Sequence, residues 1–88
     1  IDIDPTYGPA YAHLGRVYYM LLNWEAAIEH FEKAMELGVR NEEYYYEFGL
    51  SYAYLKDCTN AVKWLEKALE LNPNSKPALD GLRLCAKG

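Results

Sequence analysis

Leu14-Gly15-Arg16-Val17-Tyr18 and Phe48-Gly49-Leu50-Ser51-Tyr52 stand 34 residues apart, and the sequence around them keeps that offset. Ala27-x-x-x-Phe31-x-x-Ala34 returns as Ala61-x-x-x-Leu65-x-x-Ala68 with no insertion or deletion. A fixed period of this length means that each unit is one supersecondary element stacked on its neighbour. Such stacks present a surface for binding more often than a pocket for chemistry.

The apolar spacing within each unit predicts two helices. Tyr11, Leu14, Tyr18 and Leu21-Leu22 recur at three- and four-residue steps, which predicts a helix over 8–21. Asn23 reads as the cap of a second helix over 24–38, whose apolar stripe is Ala27, Ile28, Phe31, Ala34, Met35 and Leu37. Gly38 fits a left-handed stop after it. Asn41 caps a third helix over 42–55, and Asp57 a fourth over 58–71 with the stripe Ala61, Val62, Leu65, Ala68, Leu69 and Leu71. Asn72-Pro73 ends the fourth helix, because the residue before proline disfavours helical backbone. Ser75 is expected to cap a fifth over 76–86, with Pro77 tolerated in its first turn. Links this short force successive helices antiparallel. The fold class is therefore all-α, a solenoid of antiparallel helix hairpins.

Gly15 and Gly49 occupy one repeat position inside a helix, where glycine costs about 1 kcal/mol against alanine. Something must approach too closely for a side chain, and the partner helix of the same hairpin is the natural candidate. Ala27 and Ala61 would supply the small surface facing it.

Residues 1–88 read as one repeat domain, with units at 8–41 and 42–75. Asp4-Pro5-x-x-x-Pro9-Ala10 precedes Pro73-x-x-x-Pro77-Ala78 by two periods, and Ile3, Leu37 and Leu71 share a position. Residues 1–5 thus read as the tail of a preceding unit. Residues 76–88 depart from the pattern, with Arg83 where Gly15 and Gly49 stood. They are either a C-terminal capping helix, polar along Lys76, Asp80, Arg83 and Lys87, or the start of a truncated third repeat.

Half of the residues are apolar and no run is long enough to span a bilayer, so neither a disordered chain nor a membrane partner is expected. The net charge of −4 argues against nucleic acid. The charge is uneven: residues 1–47 carry nine acids and three bases, residues 48–88 four acids and six bases. That is either ordinary surface variation or the basis of a head-to-tail attraction. Cys58 and Cys85 fit no metal spacing and no disulfide-dense pattern, and both are expected to pack as small apolar groups. Reduced cysteines, and no visible targeting segment, favour the cytoplasm.

Tyr11-x-x-Leu14-Gly15-x-x-Tyr18…Ala27-x-x-x-Phe31 resembles the tetratricopeptide repeat, and so does Tyr45-x-x-Phe48-Gly49-x-x-Tyr52…Ala61-x-x-x-Leu65…Pro73. Tyr stands for the family's frequent Trp at 11 and 45, Phe48 for Leu, and Val39 for the usual Pro. The resemblance implies a right-handed superhelix in which the first helix of each hairpin lines a concave groove for peptides or helices of other proteins. The matching groove positions are Ala12, His13, Arg16, Tyr19 and Met20 in the first unit. In the second they are Glu43, Tyr46, Glu47, Leu50, Ala53 and Tyr54. One subset of the family clamps a terminal carboxylate with Lys, Asn and Arg. The matching positions here hold Ala12, Arg16, Glu47, Pro77 and Gly81, so no such clamp is expected.

Among these residues Tyr46, Leu50 and Tyr54 form a stripe at four-residue spacing, open to ligand contact or to packing against a neighbour. Tyr11, Tyr18, Tyr45 and Tyr52 sit at repeat-core positions, and Tyr44 is expected to wedge between units. Arg16 and Glu47 could face each other, either as a salt bridge or as a pair that reads the charges of a ligand. His13 has no second group at metal spacing, and His30 is expected at the surface. Trp24 and Trp64 are expected to pack within or between units. There is no Gly-rich phosphate loop, no His-Glu-x-x-His and no nucleophile beside an orienting base. The expected function is a non-catalytic protein-binding module without cofactor or metal. The groove residues above would supply apolar contact through Tyr46, Leu50 and Tyr54, and polarity through Arg16, His13 and Glu47. Two alternatives stand beside it: a homo-oligomer assembled through exposed repeat ends, where Ile1, Ile3, Tyr7 and Tyr11 lie, or an accessory domain of a larger enzyme.

Overall fold

Side-chain caps start the middle helices. Asn23 Oδ1 accepts from the Ala26 amide, Asn41 Oδ1 from the Tyr44 amide and Asp57 Oδ1 from the Asn60 amide. Each satisfies a backbone donor that the helix itself leaves open. In this computed structural model, which describes residues 5–87, the helices are α1 (Gly8–Met20), α2 (Trp24–Glu36), α3 (Glu42–Tyr54), α4 (Cys58–Leu71) and α5 (Lys76–Lys87). The described residues contain no strand. The expectations concerning Ile1, Ile3 and Asp4 lie outside the described residues, as does the side chain of Lys87.

The helix ends are as regular as the starts. After α1, the Asn23 amide donates to Tyr18 O at 2.9 Å and the Leu22 amide to Tyr19 O at 3.0 Å. After α3, Asp57 and Lys56 repeat this toward Tyr52 and Ala53. After α2, Val39 and Gly38 do so toward Ala34 and Met35. This stop requires a left-handed residue. Gly38 supplies it with φ 89°, whereas Leu22 and Lys56 adopt it at 62° and 69° without glycine's freedom. Leu21 and Leu22 were expected on the apolar stripe of the first helix; they belong to this turn instead and point outward.

Packing follows the hairpins: α1 lies against α2, α3 against α4, and α5 against both α4 and α3. The two internal glycines act as expected. A Cβ on Gly15 would sit 2.7 Å from Phe31 Cδ1, and one on Gly49 would sit 2.8 Å from Leu65 Cγ. Ala27, Phe31 and Phe48 form one buried cluster at the junction of the two hairpins. Leu50, Ala53, Ala61, Leu65, Ala68 and Ala78 form the second, between the second hairpin and α5. Aromatic rings join the units. Tyr44 and Phe48 tilt against Phe31, and Trp24 stacks on Tyr54 at 4.4 Å between centroids, while within the second unit Trp64 lies 4.7 Å from Phe48.

Three local expectations are corrected. His30 is half-buried: its ring stacks on Tyr18, and its Nδ1 donates to Ala26 O at 2.8 Å. Since a carbonyl can only accept, that contact places a proton on Nδ1. The Ser75 hydroxyl does not cap α5; it is turned inward and buried, and among the described residues it makes no hydrogen bond. Cys58 and Cys85 are not free packing residues, because they are joined in a disulfide. Antiparallel packing of α4 and α5 brings the first residue of one helix to the last turn of the other, with the two Cα atoms 5.5 Å apart. With the thiols oxidised, the cysteines no longer support a cytoplasmic location.

Candidate functional site

The first helices of the hairpins, α1 and α3, adjoin one another, and α5 continues the row beyond α3. Between α1 and α3 the junction is closed by charge. Arg16 Nε donates to Glu47 Oε1 at 3.1 Å and Arg16 Nη2 to Glu43 Oε1 at 2.9 Å. The guanidinium also lies 4.5 Å from the centroid of the Tyr44 ring. Burial pushes the Glu47 carboxyl up; the hydrogen bond and charge of Arg16 pull it down, and Glu43 adds to the rise. Burial opposes the charge on Arg16, but Glu47 and Glu43 outweigh it and hold the guanidinium above its ordinary value.

Phenols gather beside this network. Burial, together with Tyr54, Glu47 and Tyr46, pushes the Tyr19 hydroxyl up to about 12. Burial also raises Tyr46, with Glu47, Glu43 and Glu42 acting in the same direction and Arg16 against it. Both phenols are therefore neutral hydrogen-bonding groups at neutral pH.

Between α3 and α5 the surface opens instead. A trough of about 430 Å³ is lined by Leu50, Tyr54, Pro77, Gly81 and Leu84, with Lys76 and Asp80 at its edge. Gly81 makes the close floor possible, since a Cβ there would meet Leu50 Cδ2 at 2.9 Å. A second cavity of about 310 Å³ shares Tyr54 and Leu84 with the trough and runs to Lys56, Cys58 and Cys85.

The groove residues expected from the sequence thus have different placements. Ala12 is fully buried and Glu47 is 8% exposed. Leu50, at 9%, forms the bottom of the trough, and Tyr54, at 48%, forms its wall. His13, Met20 and Glu43 are exposed, while Tyr19, Tyr46 and Arg16 are half-buried. Leu84, Pro77 and Asp80 complete the open part and were not among the expected contacts. Repeat arithmetic reaches them: Leu84 lies 34 residues after Leu50, as Asp80 does after Tyr46 and Pro77 after Glu43.

Comparison with known proteins agrees with this architecture. Residues 8–38 and residues 42–75 each match the tetratricopeptide repeat. The crystal structure of MamA is similar over 97% of this chain, with a TM-score of 0.84 and 28% sequence identity. The chain spans 50% of the length of that protein. No curated protein matches the sequence.

Proposed function

This chain belongs to the tetratricopeptide repeat family, and on that premise we propose that it binds a protein segment in the trough between α3 and α5. Repeats of this family generally mediate protein–protein interaction and are typically non-catalytic. Among the described residues no helix is long and apolar enough to cross a membrane. The observation that carries the reading is the trough itself. Leu50 and Pro77 form an apolar bed, and Tyr54 and Leu84 stand exposed on its two sides.

An extended peptide or an amphipathic helix would seat one apolar anchor between Tyr54 and Leu84. Lys76 and Asp80, of opposite sign at the edge, would orient it. Arg16 and Glu47 have a different part: they are spent on each other and on Glu43, so they hold α1 to α3 and set the curvature of the binding row. A tyrosine wall suits this task, because it offers large contact area with little rotamer entropy to lose.

The test is selection of random peptides displayed on phage, followed by titration of the selected peptides. Tyr54→Ala with Leu84→Asp changes two exposed side chains and should leave the helical circular dichroism intact; because Tyr54 also stacks on Trp24, the thermal midpoint is measured beside the titration. The double variant should bind at least about tenfold more weakly. Equal affinity for wild type and variant would move binding to another face.

Self-assembly is the second reading. Tyr7 just before α1, Val17 on α1 and Leu79 on α5 are exposed apolar groups near the two ends of the helix row. A sedimentation coefficient that stays monomeric to millimolar concentration would exclude it.

A further inference from the structure

We infer that the Cys58–Cys85 disulfide is a redox-operated fastener that holds α5 in place and so keeps the trough assembled. The bond ties the first residue of α4 to the last turn of α5. Both cysteines line the cavity that shares Tyr54 and Leu84 with the trough. The wall formed by α5 is therefore positioned by a covalent link at its far end.

The rest of α5 is held by a small apolar face. Ala78 and Gly81 are its buried positions in the described part, and Leu82 packs partly buried against the same core cluster. Leu79 and Leu84 are exposed. Its ion pairs, Lys76–Asp80 and Arg83–Asp80, are internal to the helix and exposed. Among the described residues, no side-chain hydrogen bond or ion pair joins α5 to α3 or α4. A 12-residue helix is marginal in water by itself, and an internal glycine weakens it further. The disulfide, by contrast, spans 27 residues of sequence, long enough for loop closure to restrict the detached state strongly.

The bond is also placed to be opened. Both cysteines are only half-buried. A dithiol reductant would attack Sγ of Cys85 as its thiolate. The Sγ–Sγ bond breaks, and Cys58 leaves as a thiolate at the N-terminus of α4, where the helix dipole favours negative charge. The second thiol of the reductant then attacks the mixed disulfide and releases Cys85. Two electrons pass to the protein, the two cysteines take up two protons in all, and the reductant ends as its own disulfide.

The consequence for ligand capture rests on the binding role proposed above, whereas the fastening of α5 does not. The experiment separates them. Thiols are counted in protein purified without reductant, and amide hydrogen exchange is then followed with and without dithiothreitol. Oxidised protein should show no free thiol. Reduction should speed exchange of the α5 amides by about two orders of magnitude and leave α1 and α2 within a few-fold. Cys85→Ser should exchange like the reduced protein whether or not dithiol is present. Two free thiols in aerobically purified protein, or equal α5 protection before and after reduction, would overturn the inference. Trough peptides are titrated against the same samples. Release of α5 on reduction together with unchanged peptide affinity supports the fastener and refutes the trough as binding site.

Discussion

Arg16 and Glu47 meet across the junction of α1 and α3 at 3.1 Å, and Glu47 is buried there to 8% exposure. The pair is asymmetric in consequence. Arg16 is the more open of the two and could find water if its partner were removed, whereas the Glu47 side chain is only 11% exposed.

Arg16→Ala should therefore cost about 1–3 kcal/mol in urea unfolding at pH 7, because it strands a buried carboxylate. The deficit should depend on pH. In the wild type, Arg16 holds down a Glu47 carboxyl that burial pushes up; in the variant that restraint is gone and the folded-state value climbs further. A raised carboxyl value means that the folded state binds protons more tightly than the unfolded one. The stability lost by the variant is then full above its own raised value and shrinks as pH falls to the ordinary carboxylate range. Unfolding midpoints of the two proteins should converge near pH 4. A deficit independent of pH would show that Arg16 acts through packing on Tyr44 alone.

Tyr19 supplies the alkaline counterpart. Its hydroxyl is held up to about 12 in the folded protein, against 10.0 as its ordinary value. Between those values the unfolded chain has released the proton and the folded chain has not, so stability should fall as pH rises through that window. Ultraviolet titration should show fewer tyrosinates at pH 11 in the folded protein than after unfolding, and since burial raises Tyr46 and Tyr52 as well, Tyr19→Phe should narrow that difference without closing it. If Tyr19→Phe leaves the difference between folded and unfolded protein unchanged, the phenol is open to solvent.

Gly49→Ala should destabilise by about 1–3 kcal/mol. The added methyl would meet Leu65 Cγ at 2.8 Å, and also Ala61 O at 3.1 Å, which is backbone and cannot step aside. Leu65→Ala would relieve the first contact but not the second. In a double-mutant cycle by chemical denaturation, the two changes should couple by roughly 0.5–2 kcal/mol. Additive effects would show that α3 and α4 simply move apart.

How far the sequence could be read depends on the range of each interaction. The close approach of a partner helix at Gly15 and Gly49 was legible because they recur at one repeat position, and because glycine in a helix demands a close neighbour; that Phe31 rather than Ala27 meets Gly15, and Leu65 beside Ala61 meets Gly49, was not. Asn23, Asn41 and Asp57 were legible because a cap acts within three residues. The Cys58–Cys85 bond was not, since spacing along the chain is silent about which ends of two antiparallel helices meet. Ser75 resembled the other caps in sequence, but the packing of α5 turned its hydroxyl inward. The trough was only half visible. Leu50 and Tyr54 fall on a recognisable stripe, whereas Leu84 lies in the helix whose Arg83 breaks the glycine pattern that marks the two full units.

Leu22 and Lys56 are paired by the repeat and share a conformation that suits neither. Both hold the left-handed turn after a first helix, at φ 62° and 69°. For a side chain with a Cβ that conformation costs about 1–2 kcal/mol, whereas glycine adopts it freely. Glycine also loses more chain entropy on folding, by about 0.5–1 kcal/mol, so the two effects partly offset. Lys56→Gly should still raise stability by a few tenths to about 1 kcal/mol, since Lys56 is exposed and the turn keeps its backbone bonds. Leu22→Gly should behave alike, because Leu22 is 68% exposed and gives up little burial. Thermal midpoints of the two variants, measured with the disulfide intact, check this. If either variant melts below wild type, the side chain it removed is packed against something in solution, and for Leu22 that would direct attention to the exposed edge formed by Met20, Leu21 and Leu22.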